Sequence, residues 1–419
     1  MVSVADTMMV GRVGVIPLAA ATFAGTIFHV LILFGIGVSY AVTPLVAATN
    51  AKNQTKLMKF LQSALVLNVV VSLALCGIGI AASPFLLHFG QEVPVAVGAK
   101  PYLIIVSTSL IPLMIFQTFR QYAEGLSDTF NPMVVSIIAN LLNVALNYLL
   151  IYGEFGFPEL GLDGAGYATL ISRVVMAFLM WWAIRKGLKG FHWRLDTAQL
   201  KRMFKIGVPT GMQYVFEVGA FAMASIMVGW ISAEALAAHQ IALNISAVTY
   251  MVATGIAAAA TVRIGNQKGL GDFINLRLAG ITSFTLVTMF MMLAALSFIL
   301  LRDVLPALYV DDAEVQKIAA GILVIAAGFQ ISDGLQSVGL GVLRGLTDVR
   351  MPTFVTFFSF WVIAIPLGYF LGIHLDFGIE GIWYALLIGL TLAAILHILR
   401  FRLLLKRMRL NEIKKVLTI

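Results

Sequence analysis

Apolar runs of roughly bilayer-crossing length follow one another along this chain, parted only by short polar stretches. A helix needs about 20 apolar residues to cross a bilayer, and only helices or closed barrels can satisfy their own backbone hydrogen bonds there. The chain has 419 residues, 60% hydrophobic and only 11% charged. Soluble domains carry about 25% charged residues, and disordered chains are poor in apolar ones. Cys76 is the only cysteine and lies inside an apolar run, which excludes a disulfide framework and a cysteine metal site. The expectation is an all-α integral membrane protein.

Twelve spans are predicted. Span 1 ends near Gly14. The others run Leu18–Thr49, Leu57–Phe89, Val95–Glu124, Pro132–Tyr152, Gly164–Arg185, Lys201–Ile231, Ala235–Gln267, Phe273–Leu301, Asp312–Arg344, Pro352–Ile373 and Gly381–Leu405. They group into an N-lobe at 1–187, a linker at 188–200, a C-lobe at 201–405 and a basic tail at 406–419.

The net charge of +8 is not a nucleic-acid signature in such a chain. Excess Lys and Arg mark the cytoplasmic loops of membrane proteins. Here they gather in alternate loops: Lys52, Lys56 and Lys59; Arg120; Arg185 through Lys205; Arg263, Lys268 and Arg277; Arg344 and Arg350; then the tail. The opposite loops hold only Arg12, Lys100, Arg302 and Lys317, and Arg173 lies inside a span. Both termini are therefore expected in the cytoplasm.

The chain also repeats itself. MMVGRVGVIPLAA (Met8–Ala20) matches IMVGWISAEALAA (Ile226–Ala238) at an offset of 218, which also pairs Gly37 with Gly255 and Thr43 with Thr261. GLSDTFNP (Gly125–Pro132) matches GLTDVRMP (Gly345–Pro352) at 220, and GLDGAGYATLI (Gly161–Ile171) matches GIEGIWYALLI (Gly378–Ile388) at 217. Fixed offsets mean one duplicated unit. A unit of six spans inserts the same way each time, so the expected fold is two parallel six-helix lobes with a pseudo-twofold along the membrane normal. The second copy also predicts about 19 more residues of span 1 ahead of Met1, so span 1 is read as N-terminally truncated.

Three acids fall at membrane depth: Asp6, Glu217 and Asp333. Each costs about 2.5–3.5 kcal/mol if charged at a helix centre, so it must face a cavity, share a cation, hold a proton or pair structurally. Polar neighbours share their faces. Gln213 and Glu217 are i, i+4; Gln330, Asp333 and Ser337 are i, i+3, i+7; Asn140, Asn143 and Asn147 form a third stripe. Carboxylate, amide and hydroxyl oxygens suit a hard cation, and a Na⁺ ion needs several at once, which favours Na⁺ over H⁺ for the Gln213, Glu217, Gln330, Asp333 and Ser337 set. The Asn stripe is equally able to serve as interhelical hydrogen-bonding. Tyr250 can set its ring against a cation or simply pack. The six His show no metal-ligand spacing, and no GxxxxGK[ST] occurs, so ATP is not the energy source.

ADTMMVGRVG, FQTFRQYAEGLSDTFNP and NLLNVALNYLLIYG resemble the first lobe of the multidrug and toxic compound extrusion (MATE) transporters. FEVGAF, LAAHQIALN, ATVRIGNQKG and ISDGLQSVGLGVLRGLTD resemble the second lobe of the NorM-type branch. The resemblance implies a cation-binding role for Glu217, Asp333 and Tyr250. It implies an N-lobe cation or substrate site at Asp6 with Asn143, Asn147 and their stripe-mate Asn140. It further implies efflux of lipophilic cationic drugs or dyes in exchange for Na⁺ or H⁺, with no enzyme activity and no cofactor beyond the coupling ion. Its expected setting is the bacterial cytoplasmic membrane, as a monomer in the lipid bilayer with no nucleic-acid partner. The absent start of span 1 is the one departure from the pattern.

Two other readings compete. A lipid-linked oligosaccharide flippase of the same superfamily needs basic residues at membrane depth, and only Arg173 qualifies. An intramembrane enzyme needs a nucleophile–base pair or a metal cluster there, and the sequence offers neither.

Overall fold

The computed structural model describes residues 6, 9–49, 53–88, 90–188 and 196–417. Among them there is no strand, and eleven helices are long and apolar enough to cross a membrane. They are α1 (Val15–Ala47), α2 (Gln54–His88), α3 (Val93–Gly125), α4 (Phe130–Tyr152), α5 (Gly161–Ile184), α6 (Thr197–Gly229), α7 (Ala233–Leu270), α8 (Phe273–Leu300), α9 (Ala313–Gly345), α10 (Arg350–His374) and α11 (Gly378–Leu410). These are eleven of the twelve expected spans. Most of span 1 before residue 9 lies outside the described residues, and 9–11 form a helical turn. The last helix runs on to Leu417, so the basic tail begins as a helical extension.

Local chemistry explains the irregularities. In α3 the helix breaks at Ser109, whose hydroxyl donates to Val106 O at 2.6 Å and so competes with the backbone ladder. In α10 two π-helical stretches, Phe358–Ala364 and Phe370–His374, flank the turn that holds Pro366. Proline has no N–H to give, so the ladder around it must re-register.

The chain divides into two compact units, Met1–Gly211 and Met212–Ile419. The division falls inside α6, beyond the linker expected at 188–200. The reason is two glycines. A Cβ at Gly207 would lie 2.7 Å from Val38 O, and one at Gly211 would lie 2.8 Å from Phe34 O. Without side chains there, the start of α6 lies backbone to backbone on α1.

Within the second unit α9 is the central helix. Of its most apolar stretch 61% is buried, against 28% for α8, which is therefore the more peripheral. Glycines notch α9 on several sides. A Cβ at Gly334 would meet Met291 Cγ at 2.6 Å, one at Gly339 would meet His397 Cβ at 2.8 Å, and one at Gly345 would meet Ile264 Cβ at 2.8 Å. Small residues let membrane helices approach closely enough for van der Waals packing to hold them.

The internal repeat appears atom by atom. Helix α3 ends with Ser127 N–H donating to Glu124 O at 2.9 Å and Asp128 N–H to Ala123 O at 2.9 Å. Helix α9 ends with Thr347 N–H donating to Arg344 O at 2.7 Å and Asp348 N–H to Leu343 O at 2.9 Å. Both are Schellman turns, and both put a non-glycine in the left-handed region, Ser127 at φ 68° and Thr347 at φ 61°. The helix contacts repeat too. A Cβ at Gly125 would meet Val46 and Thr43 O, and one at Gly345 would meet Ile264 and Thr261 O. Lys268 Nζ then donates to Leu346 O at 2.6 Å and to Thr347 Oγ1 at 2.9 Å, which supports the end of α9.

Two further devices tie the basic-side loops. Asp272 caps α8 by accepting Asn275 N–H at 3.0 Å, and that bond holds its carboxyl below the usual carboxylate range. Arg400 Nε donates to Asp348 Oδ2 at 2.7 Å, linking α11 to the turn after α9. Both partners are mostly covered, so Arg400→Ala should destabilise the protein by about 1–2 kcal/mol. The readout is the apparent melting temperature in detergent. An Asp348→Ala change should lower it too, and the double variant should lose less than the sum.

Candidate functional site

Two polar clusters lie at membrane depth, one in each unit. In the second unit α6 brings Gln213 and Glu217, α7 brings Thr249 and Tyr250, and α9 brings Gln330, Asp333, Gln336, Ser337 and Arg344. Glu217 is 6% exposed and Asp333 5%. The charge of Glu217 acts on Asp333, so the two acids share one neighbourhood. Gln336 and Tyr250 face the Glu217 carboxyl, and Arg344 acts on it through its charge. The Arg344 guanidinium also lies 6.0 Å from the ring centre of Tyr214.

Hydrogen bonding around these acids is incomplete. Thr249 Oγ1 donates to Gln330 Oε1 at 2.6 Å. Glu217 Oε2, both amide atoms of Gln336, and the amide nitrogens of Gln213 and Gln330 are buried and make no hydrogen bond. A buried polar atom left unpaired costs about 1–3 kcal/mol. Glu217 Oε2 and Gln336 Oε1 are acceptors, and acceptors at a pair of acids fit a proton or a hard cation. Ser337 is buried one turn beyond Asp333.

The first unit carries the second cluster. Asn147 Nδ2 donates to the Asp6 carboxylate and lies 3.4 Å from Asn143 Oδ1. Asn143 and Asn147 are buried, whereas Asn140 is exposed, and of the three stripe residues it is Asn147 that bonds Asp6. Tyr152 OH donates to Met9 O at 2.9 Å and ties Met9 to α4.

Gln336, Arg344 and Thr249 were missed as neighbours of the acids. Gln336 is three residues after Asp333, a spacing that could have found it. Arg344 reads as a loop cation from sequence, and only burial of the α9 end at 7% exposure draws it inward. His239 is fully buried for a different reason. Trp383 Nε1 donates to its Nδ1 at 3.1 Å, so its proton sits on Nε2 and points to Ser225 Oγ at 3.0 Å. That network packs α7 on α6 and α11. Among the described residues no cluster of three His, Cys, Asp or Glu could hold a metal ion.

Comparison with known proteins gives the family and the fold. The MatE family model matches residues 1–149 and 209–370. The chain is 34% identical over 419 residues to the probable multidrug resistance protein NorM of Rhizobium meliloti (strain 1021), covering 97% of this chain and 90% of that one. It is 34% identical over 419 residues to the multidrug resistance protein MdtK of Yersinia enterocolitica, covering 96% and 91%. In fold it superposes on the crystal structure of a MATE protein in its bent conformation with a TM-score of 0.90, at 18% identity and 98% and 92% coverage. An outward-facing multidrug resistance MATE family transporter gives a TM-score of 0.88 at 19% identity, with 97% and 92% coverage.

Proposed function

This chain belongs to the MatE family of multi-pass membrane transporters, and from that premise we propose that it exports lipophilic cationic compounds in exchange for an inward cation. The observation that carries the reading is the buried Glu217–Asp333 pair with unpaired acceptors beside it. Two carboxyls that hold a proton or Na⁺ hold a cationic compound less well. Ion entry on one face then favours release of the compound, and binding of the compound on the other face favours release of the ion. The two ligands bias opposite states, which is what exchange requires. A membrane potential adds about 2.3 kcal/mol per charge per 100 mV to inward cation movement.

The charge pattern supports a membrane orientation with both termini in the cytoplasm, and the bacterial relatives support a cytoplasmic-membrane location. The oxygen-rich Glu217 surroundings favour Na⁺ as the coupling ion. The test is dye efflux in everted vesicles, driven in turn by a Na⁺ gradient and by a pH gradient. Efflux driven by Na⁺ alone supports the reading. Equal efflux with no Na⁺ present assigns the coupling to protons. No efflux under either gradient overturns cation exchange.

A further inference from the structure

Arg173 has no part in the exchange just described, and a cation exporter gains nothing from a fixed positive charge at membrane depth. It stands twelve residues into α5, about 18 Å from the start of that helix. Its Nη1 donates to Ser109 Oγ at 2.6 Å, at the break in α3, and its guanidinium lies 5.3 Å from the ring centre of Phe28. Among the described residues it forms no salt bridge. The groups whose charge acts on it are Tyr102 and Asp6, and the Asp6 carboxylate is already held by Asn147.

An arginine at this depth is costly unless an anion meets it. Among the described residues none is in contact with it. Arg173, Phe28, Tyr102 and Asp6 are all half-buried, so none of them is sealed in the core of the first unit. A guanidinium offers a planar fork that matches a carboxylate with two parallel hydrogen bonds. Among the described residues only Ser109 is recorded as accepting from one of its five donors.

We propose that Arg173 is a specificity-determining residue of the first unit that binds the carboxylate of compounds carrying both a positive and a negative group. Asp6 nearby offers the opposite charge to the cationic end. The inference rests on the exporter reading, and its test keeps the two apart. Everted vesicles, whose cytoplasmic face is outward, are given in the bath a rhodamine that carries a free carboxylate, and in parallel the methyl ester of the same dye, and export is read as accumulation in the lumen. Both are cations, and only the first is also an anion. In the unaltered protein both should be exported. Arg173→Gln should lower carboxylate-dye efflux about tenfold or more relative to the ester. Arg173→Lys keeps the charge but loses the fork, and should lower the same ratio by a few-fold. An equal fall for both dyes makes Arg173 structural and overturns the proposal, as does an unchanged ratio or export of the ester alone by the unaltered protein. If Arg173→Gln does not fold, the Lys variant decides by the same ratio. If neither dye is exported, the exporter reading fails. Binding of the two dyes to the purified protein and its Lys variant, read by fluorescence anisotropy, then judges Arg173 separately.

Discussion

Glu217→Gln is expected to abolish ion-driven efflux while leaving the fold intact. The substitution is isosteric and removes only the charge. Gln213 and Gln336 surround the position with amides that can hydrogen-bond an amide as readily as a carboxylate. Folded yield and melting temperature should therefore stay near those of the parent. Without that carboxylate the coupling ion loses a negative ligand, so gradient-driven transport should fall to background. Asp333→Asn should behave in the same way, because the two acids act on each other. Vesicle efflux under an imposed gradient measures both. Normal transport by either variant would remove that acid from the mechanism.

Gly341→Ala should damage the fold itself. A Cβ there would overlap the carbonyl oxygen of Ala257 and lie 2.9 Å from its C and Cα. All three are backbone atoms of α7, so no side chain can swing away. Helix α7 would have to move off α9, and the bond from Thr261 Oγ1 to Gly341 O at 2.8 Å would stretch with it. Overpacking of this kind costs about 1–3 kcal/mol, and more where backbone must shift. A helical glycine with free space is the control. Gly255 on α7 has nothing within 4 Å of its would-be Cβ. Gly255→Ala should stabilise by up to about 1 kcal/mol through helix propensity alone. Melting temperature and monodisperse yield in detergent separate the two. A Gly341→Ala protein that melts with the parent would mean that α7 and α9 are not locked together at this point.

The spans, the duplication and the acids at membrane depth were all legible in the sequence. Each is written locally or by self-comparison. A span is a length of apolar chain, because the bilayer forces every backbone bond to close within the segment. The duplication is a fixed offset, and it reappears as two identical helix ends at Ser127 and Thr347. Asp333 announces itself because a carboxyl is costly in an apolar run wherever the helix points.

What the sequence left open depended on helix rotation and on contacts between distant segments. Asn140, Asn143 and Asn147 read as one stripe, yet a turn of α4 leaves Asn140 exposed while the other two are buried, Asn147 bonded to Asp6 and Asn143 to Asn147. Arg344 read as a loop cation until burial of the α9 end drew it toward Glu217. The linker marked a boundary at 188–200, but Gly207 and Gly211 fasten the start of α6 to α1 and move it to 211. A hydropathy pattern fixes that a helix crosses the membrane. Which of its faces meets which neighbour is decided by glycine notches and side-chain packing between helices far apart in the chain.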